Sequence, residues 1–290
     1  MGSNIFMLTY NNYFTTSGNG ESWTVNINKC TNKIVQDFHS ECLRSARLIY
    51  ETASSPITLL FSGGLDSEFM IRVFTKAKIP FNTAIISYGD FNAHDTKYAF
   101  DYCDALGHNP IVIDIDMHDF IKSEKILEIA NQAKCSAYQM PSVMYALTKL
   151  DGTLVMGNGE PYLKNYDGVW KYQETEHVNS YMSWYEQNSI DGTPDFLRYT
   201  PETTLSFLLE DRVKDLVANK LPGKLSTRTS KHVIYSKNYN FTPRPKFTGF
   251  EKIEQDDLFN HPVFSEIQQL KKVYGGVYEV EYNDLLNMLY

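Results

Sequence analysis

The chain holds only four cysteines, Cys30, Cys42, Cys103 and Cys135, and no two of them form a CxxC pair. That scarcity argues against a disulfide framework and a zinc knuckle alike, and predicts buried or free thiols. His177, His232 and His261 share no ligand spacing, so no zinc site is expected. No run approaches the roughly 18 consecutive apolar residues that a membrane-spanning helix requires. The polar opening MGSNIFMLTYNNYF lacks a charged stretch followed by an apolar one, so a cytoplasmic protein is expected. Long internal repeats and low-complexity tracts are missing as well.

What is present suits a globular domain. Hydrophobic residues make up 42% of 290, enough for a sizeable core. Lys and Arg number 27 against 35 Asp and Glu, for a net charge of -8, but the charge is unevenly spread. Between Arg212 and Lys252 ten basic residues face two acidic ones, a surplus of +8 that leaves −16 on the remainder. Such asymmetry suggests a basic part that meets an anion, whether polyphosphate or nucleic acid. The plainer alternative is a solvated basic face that balances an acidic body.

Along the chain, residues 5–10 and 23–27 read as two strands joined through the turn-forming TSGNGES. Helical spacing of Phe38, Cys42, Ala46 and Ile49 predicts a helix over 33–52. ITLLF (57–61) reads as a strand buried on both faces, and Phe69, Met70, Val73, Phe74 and Ala77 mark one face of a helix ending before Pro80. The alternation continues with strands at 82–88, 111–116 and 153–157 and helices at 94–106, 118–134 and 142–149. Four apolar strands separated by helices imply an α/β fold, a parallel sheet with helices on both faces. Helices at 203–219 and 263–273 predict a mostly helical C-terminal region. The expected organisation is a β-hairpin extension over 1–30, an α/β core over 31–175, and a helical and basic region over 176–290.

Where the first buried strand ends, the sequence reads Ser62-Gly63-Gly64-Leu65-Asp66-Ser67 and passes straight into a helix. Two glycines permit a sharp turn and the close approach of a ligand to the main chain. The first N–H groups of the helix favour a phosphate, and Ser62 and Ser67 add hydroxyl donors. Asp66 would repel phosphate unless it caps the helix or holds a magnesium ion. A Walker loop is excluded, since no Gly-Lys-Ser/Thr ending follows.

This hexapeptide resembles the PP-loop of the N-type ATP pyrophosphatases, whose pattern is SGGxDS. The resemblance implies an adenine nucleotide alpha-hydrolase-like fold and cleavage of ATP between its α and β phosphates. A carboxylate or carbonyl oxygen is adenylated, and a nitrogen or sulfur nucleophile then displaces AMP. Over residues 35–170 the likeness is greatest to the synthetase domain of asparagine synthetase and its β-lactam-forming relatives. It implies that Ser62, Gly63, Gly64, Leu65 and Ser67 hold pyrophosphate. Main-chain groups near Phe61, Ile86, Ser87 and Gly89 would take adenine and ribose.

The family's acidic loop GEGADE is matched here by GNGEPY. Gly157 and Gly159 stand at the two glycines, while Pro161 and Tyr162 replace the Asp-Glu pair. Glu160 is then left, with Asp66, to serve magnesium. A lysine of the C-terminal region would meet the leaving pyrophosphate. Lys231 and Lys246 are the preferred candidates, ahead of Arg228 and Arg244. ATP and Mg2+ are the implied cofactors.

The segment before Ile57 is too short for the amidotransferase half of the glutamine-dependent members. The nucleophile is therefore expected to be ammonia, a substrate amine, or ammonia from a glutaminase partner. Two rival readings are a nucleic-acid base-modifying enzyme, contacting its substrate through 212–252, and a non-catalytic module binding ATP or AMP. Three further features are ambiguous. Asp90, His94 and Asp95 cluster after the second strand, where either His94 contacts ribose or substrate or, the plainer reading, Asp95 is a helix N-cap and His94 is exposed. Asp114 and Asp116 read as a solvent-facing pair. Tyr162, Tyr166, Trp170, Tyr172, Tyr181, Trp184 and Tyr185 would either line an acceptor pocket or belong to the core.

Overall fold

Short apolar runs and helix-period segments alternate through the first half of the chain, and the architecture follows from that alternation. The structure, a computed structural model, describes residues 12–17, 22–32, 34–221, 223, 226–242, 244 and 248–290. A hairpin of β1 (Asn12–Ser17) and β2 (Ser22–Ile27) comes first. The strand expected over 5–10 lies outside the described residues. Helix α1 (Phe38–Thr52) begins later than 33 because the Asp37 side chain accepts from the Ser40 N–H at 3.0 Å and caps it.

β3 (Ile57–Leu60), α2 (Leu65–Ala77), β4 (Asn82–Ser87), α3 (Ala93–Leu106) and β5 (Ile111–Asp114) follow as the spacing predicts. The single helix expected at 118–134 is two, α4 (Met117–Lys122) and α5 (Lys125–Gln132), broken where Glu124 takes φ 58°. Next come α6 (Met140–Leu147), β6 (Thr153–Met156), β7 (Leu163–Tyr166), β8 (Val169–Thr175) and α7 (Glu176–Gln187). β9 (Gly192–Thr193), α8 (Pro201–Leu208), α9 (Asp211–Val217) and α10 (Lys231–Tyr235) lead to α11 (Phe250–Ile253), α12 (Pro262–Tyr274), β10 (Val277–Glu281) and α13 (Tyr282–Leu289).

The main sheet has five parallel strands in the order β5-β4-β3-β6-β9. β3 and β6 are buried at every residue, which is why both read as unbroken apolar runs. From β3 the chain first winds outward through β4 and β5, then crosses to β6 and β9. The strand order therefore reverses between β3 and β6, and in open α/β sheets ligands bind outside the carboxyl ends of the strands at such a point.

Two apolar clusters carry the helices on opposite sides of this sheet. One gathers α1, α2 and α3 side chains with Cys42 and Cys103, and the other gathers α5, α6 and α12 side chains with Cys135. Cys103 and Cys135 thus lie in different clusters.

Two expectations need correction. The C-terminal region is not only helical, since β10 joins β8 and β7 in a three-stranded antiparallel sheet. The helix over 203–219 is divided into α8 and α9, because Glu210 leaves helical geometry at ψ 137°. Among the described residues no helix is long and apolar enough to cross a membrane.

Candidate functional site

β3 delivers the chain to the switch point, and the glycines then set the turn. Phe61, still strand-like, donates its N–H to the Ala84 carbonyl at 2.8 Å, while its ring is buried edge-on to Tyr102. Only its main chain can therefore contribute to a binding site. Gly63 has φ +83°, and a Cβ there would stand 2.1 Å from the Asp95 carbonyl oxygen. The turn is thus pressed onto the start of α3. Ser62 Oγ accepts from the Gly64 N–H at 3.2 Å and lies 3.0 Å from Ser67 Oγ, which donates to the Gly64 carbonyl. Gly64 opens α2 with no side chain capping it.

Asp66 does not cap the helix. Its Oδ2 receives the Lys231 ammonium at 2.5 Å and its Oδ1 the Tyr235 hydroxyl at 3.0 Å. The same ammonium donates to Glu160 Oε1 at 2.7 Å. Glu160 rides on the loop that leaves β6. Gly157 brings this loop onto α2, since a Cβ at that position would lie 2.8 Å from Ser67 Cα and 3.0 Å from the Asp66 carbonyl oxygen. Three residues singled out by sequence, each from a different segment, therefore meet around one ammonium. The Lys231 side chain is only 8% exposed, whereas Asp66 and Glu160 keep 23% and 21%, so the two carboxylates retain more contact with solvent than the ammonium they hold. Burial works against the lysine's charge, but the two carboxylates outweigh it and hold its pKa above the ordinary value.

Behind Glu160 lies a second polar group that the sequence did not announce. Gly157 bridges to Asp195, and Asn158 accepts from the Leu197 N–H at 2.9 Å. Arg198 is buried; it pairs with Glu174, meets Asp195 Oδ2 at 3.2 Å and donates to the Tyr172 hydroxyl at 3.3 Å. Gly159, at φ +95°, packs on the arginine stem, where a Cβ would stand 2.8 Å from Cγ. Burial, reinforced by Glu160, pushes Asp195 up to about 7. Asp195 follows a two-residue strand, and Arg198 and Glu174 sit far from the glycine loops in sequence, so no local signal marks them. Tyr235 had one signal: it stands four residues after Lys231, one helical turn along the same face.

The remaining candidates divide. Ser87 and Gly89 close β4, with the Gly89 N–H 3.3 Å from Ser87 Oγ and open space around Gly89. Asn92 pins this turn, donating to the Ile86 carbonyl and accepting from the Tyr88 N–H. Asn92 also occupies the N-cap position of α3, so the assignment of that role to Asp95 is corrected: Asp95 is buried in the first turn, and His94 is half-buried rather than exposed. Asp116 caps α4 by accepting from the Asp119 N–H, and Asp114 is exposed. Lys246 lies outside the described residues. Arg228 sits over the Tyr162 ring, and Arg244 is engaged by Glu68 and the Tyr98 ring. Trp170, Tyr172, Trp184 and Tyr185 are buried in the core.

Among the described residues no group of three or more His, Cys, Asp and Glu side chains is gathered to hold a metal ion. A magnesium ion bound with a nucleotide needs only one or two protein carboxylates, the remaining positions going to phosphate oxygens and water. Asp66 and Glu160 already share one cation, the lysine ammonium, and so fit that donor count. No known family model and no curated protein matches the chain.

Proposed function

We propose that the chain is an ATP-dependent ligase of the PP-loop type that forms AMP and pyrophosphate. It would adenylate a carboxylate or carbonyl oxygen for attack by ammonia or an amine. The observation that carries this reading is the meeting of Asp66, Glu160 and Lys231 beside the SGG turn, at the point where the strand order reverses. A chemically idle turn has no need of a buried lysine brought from 165 residues away.

In the proposed reaction the acceptor oxygen attacks the α-phosphorus, the bond to the bridging oxygen breaks, and its electron pair leaves on pyrophosphate. The turn at Gly63–Gly64 and the start of α2 would hold that leaving group through N–H donors. On this reading Lys231 would meet the negative charge that accumulates on the leaving group and would favour the transition state over the ground state. An amine nitrogen then attacks the activated carbon, AMP departs, and the amine loses a proton. Magnesium held by Asp66 and Glu160 would supply neutralisation of phosphate charge.

Pyrophosphate release, measured with ATP, magnesium and a panel of carboxylates and amines, tests the reading. Asp66→Asn should abolish ATP–pyrophosphate exchange in a folded protein. Lys231→Met should lower the rate about 10²–10³-fold with less effect on ATP affinity, by analogy with loss of one transition-state donor. Exchange that survives Asp66→Asn would overturn it.

A further inference from the structure

Helix α10 is only one turn long, yet it meets α2 along a matched pair of faces. Lys231 and Tyr235 are four residues apart on α10, and Asp66 and Phe69 three apart on α2, so each pair projects from one side of its helix. Charge meets charge at one end: Lys231 on Asp66. At the other end the Tyr235 ring stacks on Phe69 with centroids 4.2 Å apart and planes 20° from parallel, and it faces Phe38 at 6.0 Å. The tyrosine is wholly buried, and a buried phenol needs a hydrogen-bond partner. Its partner is the Asp66 carboxylate, through the oxygen that the lysine does not take.

A carboxylate held through one oxygen can still swing about its Cβ–Cγ bond. Holding both oxygens from one rigid turn fixes its plane. We propose that Tyr235 is a positioning residue: its hydroxyl, carried on a ring packed against Phe69 and Phe38, sets the orientation of Asp66 and thereby seats Lys231 in the site. The assignment of Asp66 to a magnesium–nucleotide site rests on the function proposed above, but the positioning itself does not.

Tyr235→Phe keeps the stacked ring and removes only the hydroxyl. Lys231 in the nucleotide-free protein should then react about fivefold faster with an amine-specific acylating reagent, read by peptide mass spectrometry, with the melting temperature little changed. In the same variant the magnesium concentration that half-saturates ATP binding, followed by calorimetry, should rise about tenfold. Tyr235→Leu, which loses ring and hydroxyl together, provides the second comparison. Unchanged Lys231 labelling in folded Tyr235→Phe overturns the proposal, whatever ATP does, and so does labelling that rises only in Tyr235→Leu. Faster labelling in Tyr235→Phe, in a protein whose unsubstituted form binds no ATP, upholds Tyr235 as positioning Asp66 and removes the nucleotide reading instead.

Discussion

Adjacent glycines of the SGG turn do different work, and the difference can be measured. Gly63 holds a positive φ, and any side chain there would run into the backbone of Asp95, which cannot rotate away. Gly64 has an ordinary φ of −73°, and its nearest obstacle is the Ser62 hydroxyl at 3.2 Å, which can turn aside. Gly63→Ala should therefore cost at least about 2 kcal/mol of stability. Gly64→Ala should cost about 1 kcal/mol or less while weakening ATP binding, because its methyl stands on the face where phosphate would approach. Urea denaturation and ATP titration of both variants separate the two effects, and equal losses of stability would refute the distinction. Asp195 offers a second test at this scale. Burial, with Glu160 beside it, pushes its carboxyl up to about 7 from an ordinary 3.8. The folded protein then binds that proton more tightly than the unfolded chain does, and the contribution to stability is lost as pH rises from about 4 to about 7. Asp195→Asn, which keeps an oxygen for Arg198, should gain stability relative to the unsubstituted protein across that window and level off above it. A difference independent of pH would show that Asp195 does not carry the proton.

At the scale of elements, what was legible follows a physical rule. β3, β6 and α2 were readable because a strand buried on both faces is mostly apolar, and a helix on a sheet must repeat its apolar residues every turn; β4, buried at Thr83, Ala84 and Ile85, carries a shorter run of the same kind. β9 was not, since it is two residues long and its Gly192 is dictated by contact: a Cβ there would stand 2.0 Å from the Leu154 carbonyl oxygen. The break between α8 and α9 was equally hidden. Glu210 is a good helix former by itself, but its backbone is extended and its carboxylate takes Lys237 from a distant segment. The site divides in the same way. Asp66, Glu160 and Lys231 were findable because a motif, a matched glycine loop and a run of charge each narrowed the choice. Asp195, Arg198 and Glu174 acquire meaning only through neighbours that the fold supplies. The β8–β10 pairing, across about a hundred residues, was out of reach for the same reason.

Across the whole molecule, the uneven charge bears on the two readings its sequence allows, a surface for an anion and a balance to an acidic body. A segment with a surplus of +8 would be a natural surface for RNA or DNA if its cations stood free in water. Many are engaged within the fold. Lys220 pairs with Asp215, Lys231 with Asp66 and Glu160, Lys237 with Glu210, and Arg244 with Glu68, while Lys252 donates to the Asp90 carbonyl. Those partners are mainly acids of the remaining chain, so the basic segment neutralises the body onto which it folds. Lys231 and Arg244 are the most deeply placed, with 8% of each side chain exposed, and they join this segment to α2. Among the described residues of the segment, Arg212, Lys214 and Arg228 stand outside these pairs and are the cations left to displace counterions from a phosphate backbone. Each phosphate neutralised adds about 0.7–0.9 to the slope of log affinity against log salt, so a protein making one or two such contacts should give a slope no steeper than about −2. Fluorescence anisotropy of labelled single-stranded RNA and duplex DNA, titrated at several salt concentrations, measures it directly. A slope of about −5 or steeper, flattened by Lys214→Ala and Arg228→Ala, would mean that the exposed cations of 212–252 form a nucleic-acid surface after all, and the base-modifying reading would then displace the ligase.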